Sequence, residues 1–141
     1  MILKFKKLYP DAKVPTYAHE HDAGMDLYAS EHLIIKRGET SRVPTGIALE
    51  IPEGYVGLVW DKSGLSTNHG LKTIGGVIDA GYRGEIIVGL FNLSKEDYTV
   101  EKHQKIAQLL IQKVERAGLL ETDALSDSHR GEKGFGSTGK H

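Results

Sequence analysis

The sequence predicts an all-β protein with one short helix and a flexible C-terminal arm. Three observations carry this. Glycine makes up 17 of 141 residues and falls between short apolar runs, the pattern of many short strands joined by turns. The stretch 42–51 alternates, with Ile47, Leu49 and Ile51 on one face at the two-residue period of a strand. After Leu125 the apolar pattern stops, and residues 126–141 carry a single large apolar side chain, Phe135, too little to order themselves by burial. The expected organisation is one domain over residues 1–125 and an arm over residues 126–141.

Taken in order, Ile2, Phe5 and Leu8 lie among lysines in a first strand that ends at Tyr9-Pro10-Asp11, and Pro15 opens a polar loop. Leu33-Ile34-Ile35 is a short strand. Pro52-Glu53-Gly54 turns the chain into residues 55–60, apolar on both faces, which suits a strand between layers or at a subunit contact. Residues 61–70 break the pattern. Ser63 opens a short helix with Gly70 as its stop, or the stretch is a loop with one helical turn. Residues 75–85 read as a β-hairpin, with Asp79-Ala80-Gly81 as the turn and Gly81 free to take positive φ. Tyr98-Thr99-Val100 and residues 105–114 complete the strands.

Composition excludes several classes. A net charge of −1 gives no pull toward nucleic acid or an anionic membrane. The absence of cysteine rules out disulfide and thiolate chemistry and fits a cytoplasmic setting. The start, Met1 to Lys7, is too charged for a signal peptide, and no apolar run approaches transmembrane length.

Chemistry-bearing residues fall into five polar, glycine-bearing segments. Asp26 sits inside an apolar run, where a carboxylate is costly unless paired or serving an ion. His19, His21 and Asp22 lack the further ligands that a zinc site needs. Lys62, Ser63 and Gly64 at a helix start suit an anion. Asp79 and Tyr82 share the hairpin with the backbone of Gly75, Gly76, Val77 and Ile78. Gln108 is the one polar residue in the middle of its apolar strand, and a surface-facing side chain accounts for it equally well. In the arm, Arg130, Ser137, Thr138 and glycine amides such as Gly136 can grip phosphate while Phe135 stacks on a base. Neither a Walker-type loop nor a dinucleotide fingerprint occurs.

Together, segments 23–30, 61–70, 75–85, 102–109 and 130–139 resemble, in order and spacing, the five motifs of the trimeric dUTPase family, as do the lead-ins Val43-Pro44-Thr45-Gly46 and Ile51-Pro52-Glu53-Gly54-Tyr55. The resemblance spans nearly the whole chain. It implies a distorted jelly-roll β-barrel, a homotrimer with shared active sites, and Mg²⁺-assisted hydrolysis of dUTP to dUMP and pyrophosphate. It implies that Asp79 is the general base, that Tyr82 excludes a ribose 2′-hydroxyl, and that the backbone of Gly75, Gly76, Val77 and Ile78 reads uracil. It further implies that Asp26 holds Mg²⁺ through water, that Lys62, Ser63, Gly64 and Gln108 contact the phosphates, and that Arg130, Phe135, Gly136, Ser137 and Thr138 close over the nucleotide.

Two positions depart from the family pattern. Lys62 stands where arginine is usual and cannot form the same bidentate fork. His103-Gln104-Lys105-Ile106-Ala107-Gln108 stands where Gly-Asp-Arg-Ile-Ala-Gln is usual, so the turn before Gln108 is built differently. The sister dCTP deaminases place a glutamate where this chain has Gly89 and lack the glycine-rich last motif. A non-catalytic relative would have lost Asp26, Asp79 or the arm. A plain structural barrel leaves all three as coincidences.

Overall fold

Over the described residues, the glycine and proline punctuation resolves into ten strands and one helix. A computed structural model describes residues 1–139. The strands are β1 (Lys4–Lys7), β2 (Met25–Tyr28), β3 (Leu33–Ile35), β4 (Thr40–Glu50), β5 (Tyr55–Asp61), β6 (Leu71–Ile74), β7 (Val77–Ile78), β8 (Glu85–Asn92), β9 (Tyr98–Val100) and β10 (Lys105–Lys113), with the helix α1 (Ser63–His69) between β5 and β6. All pairings are antiparallel. One sheet runs β1-β4-β8-β6, a second runs β2-β10-β5-β7, and β3 with β9 makes a two-stranded ribbon. The all-β expectation therefore holds. The sheets stack as a jelly roll without a continuous hydrogen-bonded ring.

The core lies between the sheets. In β8 the alternation is strict, and Ile86, Val88, Leu90 and Asn92 all point inward. They meet Leu27, Ile106 and Leu109 from the facing sheet. Each such apolar side chain contributes about 1.5–3 kcal/mol relative to exposure, and Leu109→Ala is expected to cost about 2–5 kcal/mol. In β4 the expected one-face alternation is incomplete, because Ala48 is buried along with Ile47 and Leu49. A register shift between Pro44 and Ala48, with Gly46 at φ 70, interrupts the two-residue period there. Two of the three buried polar side chains are satisfied locally. Thr45 donates to the Ile86 carbonyl at 2.7 Å, and Asn92 donates to the Ile35 and Glu96 carbonyls at 2.9 and 2.8 Å. The third is Asp26.

Three local expectations change. Residues 75–85 are not one hairpin: β7 pairs with β5, whereas β8 pairs with β4 and β6, so the segment crosses from one sheet to the other. The turn at Asp79 is present, with the Tyr82 N–H donating to the Asp79 carbonyl at 3.0 Å. The positive-φ glycines, however, are Gly75 and Gly76, not Gly81. They lie at the preceding passage between sheets, from β6 to β7, where a Cβ on Gly76 would come 2.8 Å from the Val59 carbonyl oxygen. Residues 63–69 do form a helix, stopped by Gly70 in the left-handed region, but Lys62 rather than Ser63 is the N-cap and no side chain caps it.

No strand follows β10 among the described residues, and every described residue after Ile111 is exposed, including Leu119, Leu120 and Leu125. Among the described residues, no helix is long and apolar enough to cross a membrane.

Candidate active site

Two separate places carry the chemistry. The first is a charge cluster at the end of the second sheet. Asp26 lies on β2 opposite Gln108 of β10 and is only 2% exposed. The Lys62 ammonium donates to its Oδ1 at 2.5 Å, and the Lys105 ammonium lies 2.7 Å from Oδ2. Oδ2 is fully buried and accepts no well-directed hydrogen bond, so its tie to Lys105 is ionic. Burial pushes the Asp26 carboxyl up, but Lys105 and Lys62 together outweigh burial and hold it below the ordinary carboxylate range. Reciprocally, Asp26 holds the Lys105 ammonium above its ordinary value.

Gln108 turns inward to the same cluster, its Nε2 donating to the Asp61 carbonyl at 2.9 Å. Gly24 makes room for it, since a Cβ there would lie 2.5 Å from the glutamine Oε1. Ser63 and Gly64 open α1 beside Lys62, where the first N–H groups of a helix have no partner within it.

The second place is a cavity of about 220 Å³ where the chain crosses between sheets, lined by Gly76, Val77, Ile78, Asp79, Tyr82 and Arg42 among others. Asp79 is exposed, and none of the ion pairs among the described residues includes it. The Tyr82 hydroxyl donates to the Glu85 carbonyl at 2.9 Å, and the ring lies over Gly84, where a Cβ would come 2.4 Å from the hydroxyl. Gly89 also lines the cavity, and a Cβ there would meet Ile74 at 2.8 Å. A glutamate at that position would therefore need the neighbouring strand to move.

Lys62, Ser63, Gly64, Gln108 and Asp26 do not line this cavity, and Gly75 lines a neighbouring surface with Trp60 and Lys72. The arm residues Arg130, Phe135, Gly136, Ser137 and Thr138 are exposed, and among the described residues the Arg130 side chain donates only to the nearby Lys133 carbonyl at 2.8 Å. His19 and Asp22 form an exposed pair at 3.3 Å, and no three His or acidic side chains cluster among the described residues.

Sequence reading passed over Lys105, Asp61 and Arg42. Lys105 lies inside one of the five segments, but its pairing with a carboxylate 79 residues earlier has no local signal. The departure at His103 also has a structural account. His103 has φ 67, so a side chain occupies a left-handed position that glycine takes without strain. Its N–H donates to the Ala29 carbonyl at 2.8 Å, and its Nε2 lies 3.0 Å from the Asp11 carbonyl oxygen.

Comparison with known proteins points to one family. The family model described as dUTPase matches residues 10–139. A deoxyuridine 5′-triphosphate nucleotidohydrolase of Clostridioides difficile is 47% identical over 139 residues, covering 97% of each chain. One from Thermobifida fusca is 46% identical, covering 99% of this chain and 79% of its own. Among solved structures, a mutant dUTPase of Staphylococcus bacteriophage 80alpha with dUpNHpp superposes with a TM-score of 0.93 at 32% identity, covering 98% of both chains. A mutant dUTPase from phage phi11 of S. aureus, whose structure describes coordination of a structural Mg(II) ion, gives 0.84 at 26% identity, covering 90% of this chain and all of that one.

Proposed function

The chain belongs to the dUTPase family, and from that premise we propose that it hydrolyses dUTP to dUMP and pyrophosphate, with Asp79 as the general base. The observation that carries this reading is the exposed Asp79 carboxylate, free of ion pairs among the described residues, in a cavity lined by the backbone of residues 76–78 and the Tyr82 ring. A volume of about 220 Å³ lies below the roughly 300–1,000 Å³ typical of sites that enclose a whole drug-sized ligand. It suits a base and sugar rather than an entire nucleoside triphosphate.

In this reading the Gly75 to Ile78 backbone takes the uracil edge, and Tyr82 lies against the deoxyribose, leaving no room for a 2′-hydroxyl. Asp79 orients a water and accepts its proton as the oxygen attacks the α-phosphate in line, with pyrophosphate leaving. Lys62, Ser63, Gly64 and Gln108 hold the phosphates. Arg130, Ser137 and Thr138 grip the far phosphate while Phe135 and Gly136 cover the base. Residues 126–141 thus act as an arm on a domain of residues 1–125, although Lys140 and His141 lie outside the described residues.

Magnesium typically keeps several waters and takes one or two carboxylates plus substrate phosphates. Asp26 fits that role. It is held ionised beside Lys62, and its Oδ2 is tied to Lys105 without a directed hydrogen bond among the described residues. Asp26 would hold Mg²⁺ through water, and the ion would neutralise charge on the triphosphate.

That Asp26, Lys62, Ser63, Gly64 and Gln108 do not line the Asp79 cavity supports a homotrimer with shared sites. Trp60 and Val77, both more than half exposed, provide apolar surface for such a contact. The test is product analysis with dUTP, dCTP, dTTP and UTP, each with Mg²⁺ or EDTA. The reading requires dUMP and pyrophosphate from dUTP alone, suppressed by EDTA. Deoxyuridine products from dCTP would replace it with deamination.

A further inference from the structure

Asp61 has no part in the chemistry above, yet donors converge on it from three sides. Its Oδ1 accepts the Thr73 N–H at 2.6 Å and the Thr73 hydroxyl at 2.8 Å, and its Oδ2 meets the Lys72 ammonium at 2.8 Å. Its main-chain carbonyl is the acceptor for Gln108. Burial pushes this carboxyl up, but Lys72 and the two Thr73 donors more than offset it and hold it low. Asp61 ends β5, and Thr73 lies in β6, which belongs to the other sheet. Between them the chain makes one excursion, α1, with Lys62, Ser63 and Gly64 at its start.

That excursion has one apolar anchor, Leu65, partly buried against the core. The helix has seven residues, no side-chain N-cap and no buried residue. Helices this short are marginal without tertiary support. Two polar ties hold its start: Lys62 to Asp26, and Asp61 to Thr73. The first ends on a flexible ammonium that must also serve the phosphates. The second is short, has two hydrogen bonds on one oxygen, and involves no group assigned to the substrate.

We propose that Asp61 is the positioning residue of the phosphate-binding cluster: its carboxylate closes the β5–α1–β6 excursion onto β6, and its carbonyl sets the Gln108 amide. Lys62, Ser63, Gly64 and Gln108 then meet the triphosphate as one surface, already arranged before it arrives. This rests on the dUTPase reading above, and it separates the two ends of the nucleotide. Disturbing Asp61 weakens the grip on β- and γ-phosphates and leaves the base and sugar cavity untouched.

The experiment measures affinity for dUpNHpp and for dUMP, with kcat and KM for dUTP and melting temperature, on wild type, Asp61→Ala and Asp61→Asn. For Asp61→Ala, dUpNHpp affinity is expected to fall and KM to rise by about tenfold, with dUMP affinity unchanged and kcat less affected. Asp61→Asn recovers most of the loss, because its side-chain oxygen still accepts both Thr73 donors. Equal loss for dUMP and dUpNHpp, or a lower melting temperature with neither affinity changed, overturns the proposal. If Asp61→Ala does not fold, Thr73→Val removes the hydroxyl and keeps the N–H. A smaller, equally selective loss then supports the proposal, and no selective loss overturns it. Wild type that neither binds dUpNHpp nor hydrolyses dUTP removes the dUTPase reading and this inference with it. Wild type that does both, with no selective loss in the variants, removes the inference alone.

Discussion

Asp26 and Asp79 are both aspartates close to the ends of short strands, and the fold treats them in opposite ways. Asp26 is buried, tied to two ammonium groups and held ionised. Asp79 is exposed in a concave crossing between sheets and is free of ion pairs among the described residues. A carboxylate committed to two cations is a poor proton acceptor, because protonating it would strand both charges. A free one beside a cavity can orient a water and take its proton as that water attacks. The difference fits the proposed roles, with Asp26 organising charge and Asp79 doing chemistry.

The sharpest way to break that division is Asp79→Asn. Asparagine keeps the shape and cannot take the proton, so hydrolysis is expected to fall by about 10²–10⁴-fold while nucleotide affinity persists. Single-turnover kinetics and direct binding measure the two separately. Affinity falling in step with rate would place Asp79 in positioning, and the contrast with Asp26 would vanish.

Removing the arm tests a different contrast, between parts held by burial and parts held by substrate. Truncation after Asp127 removes Phe135, which is fully exposed, and Arg130, whose hydrogen bond is local. The melting temperature is expected to move by less than about 2 °C, while turnover drops by about 10²-fold as closure is lost. A large stability loss would show that the arm belongs to the core.

At Asp26 the expected loss is in stability as well as rate. Asp26→Asn leaves Lys62 and Lys105 beside a neutral amide. Breaking a buried pair costs about 3–5 kcal/mol, but both ammonium groups reach solvent here, so about 1–3 kcal/mol is expected in denaturant unfolding. The sign with pH follows from the lowered carboxyl. A folded-state value below 3.8 gives stability that is present above the unfolded value and lost as pH falls below 3.8 through the folded one. Wild type should therefore lose stability faster than the Asn variant below about pH 4. Parallel acid curves would mean that Asp26 carries no such linkage.

What sequence reading captured, and what it did not, follows the same division. Asp79 was visible because its chemistry is local: a turn, an aromatic and glycines within a few residues. Asp26 was visible as an anomaly, a carboxylate in an apolar run, but Lys105 was not, because the pair forms across β2 and β10. The strands themselves followed from short runs between glycines. The error was in pairing. Residues 75–85 have the local pattern of a hairpin, and only the competition of β5 for β7 and of β4 and β6 for β8 splits them between sheets. Asp61 was missed for a similar reason, since its partners lie eleven, twelve and forty-seven residues away.

The smallest expected effect sits at His103, which separates backbone strain from side-chain bonding in the turn before Lys105 and Gln108. At φ 67 a side chain costs about 1–2 kcal/mol relative to glycine. The imidazole recovers part of that by reaching the Asp11 carbonyl at 3.0 Å, and an exposed hydrogen bond of this kind contributes about 0.5–1.5 kcal/mol. His103→Ala keeps the strain and loses the bond, so it should destabilise by about 1 kcal/mol. His103→Gly loses both, and the added freedom of the unfolded chain offsets some of the relief, so stability should stay within about 0.5 kcal/mol of wild type. The informative quantity is therefore the gap between the two variants in one denaturant series. Glycine above alanine shows that relieving the backbone strain outweighs the freedom gained by the unfolded chain. The two falling equally would mean that the strain relieved does no more than match the freedom that glycine gives the unfolded chain, so that the imidazole hydrogen bond is what this residue adds to the turn.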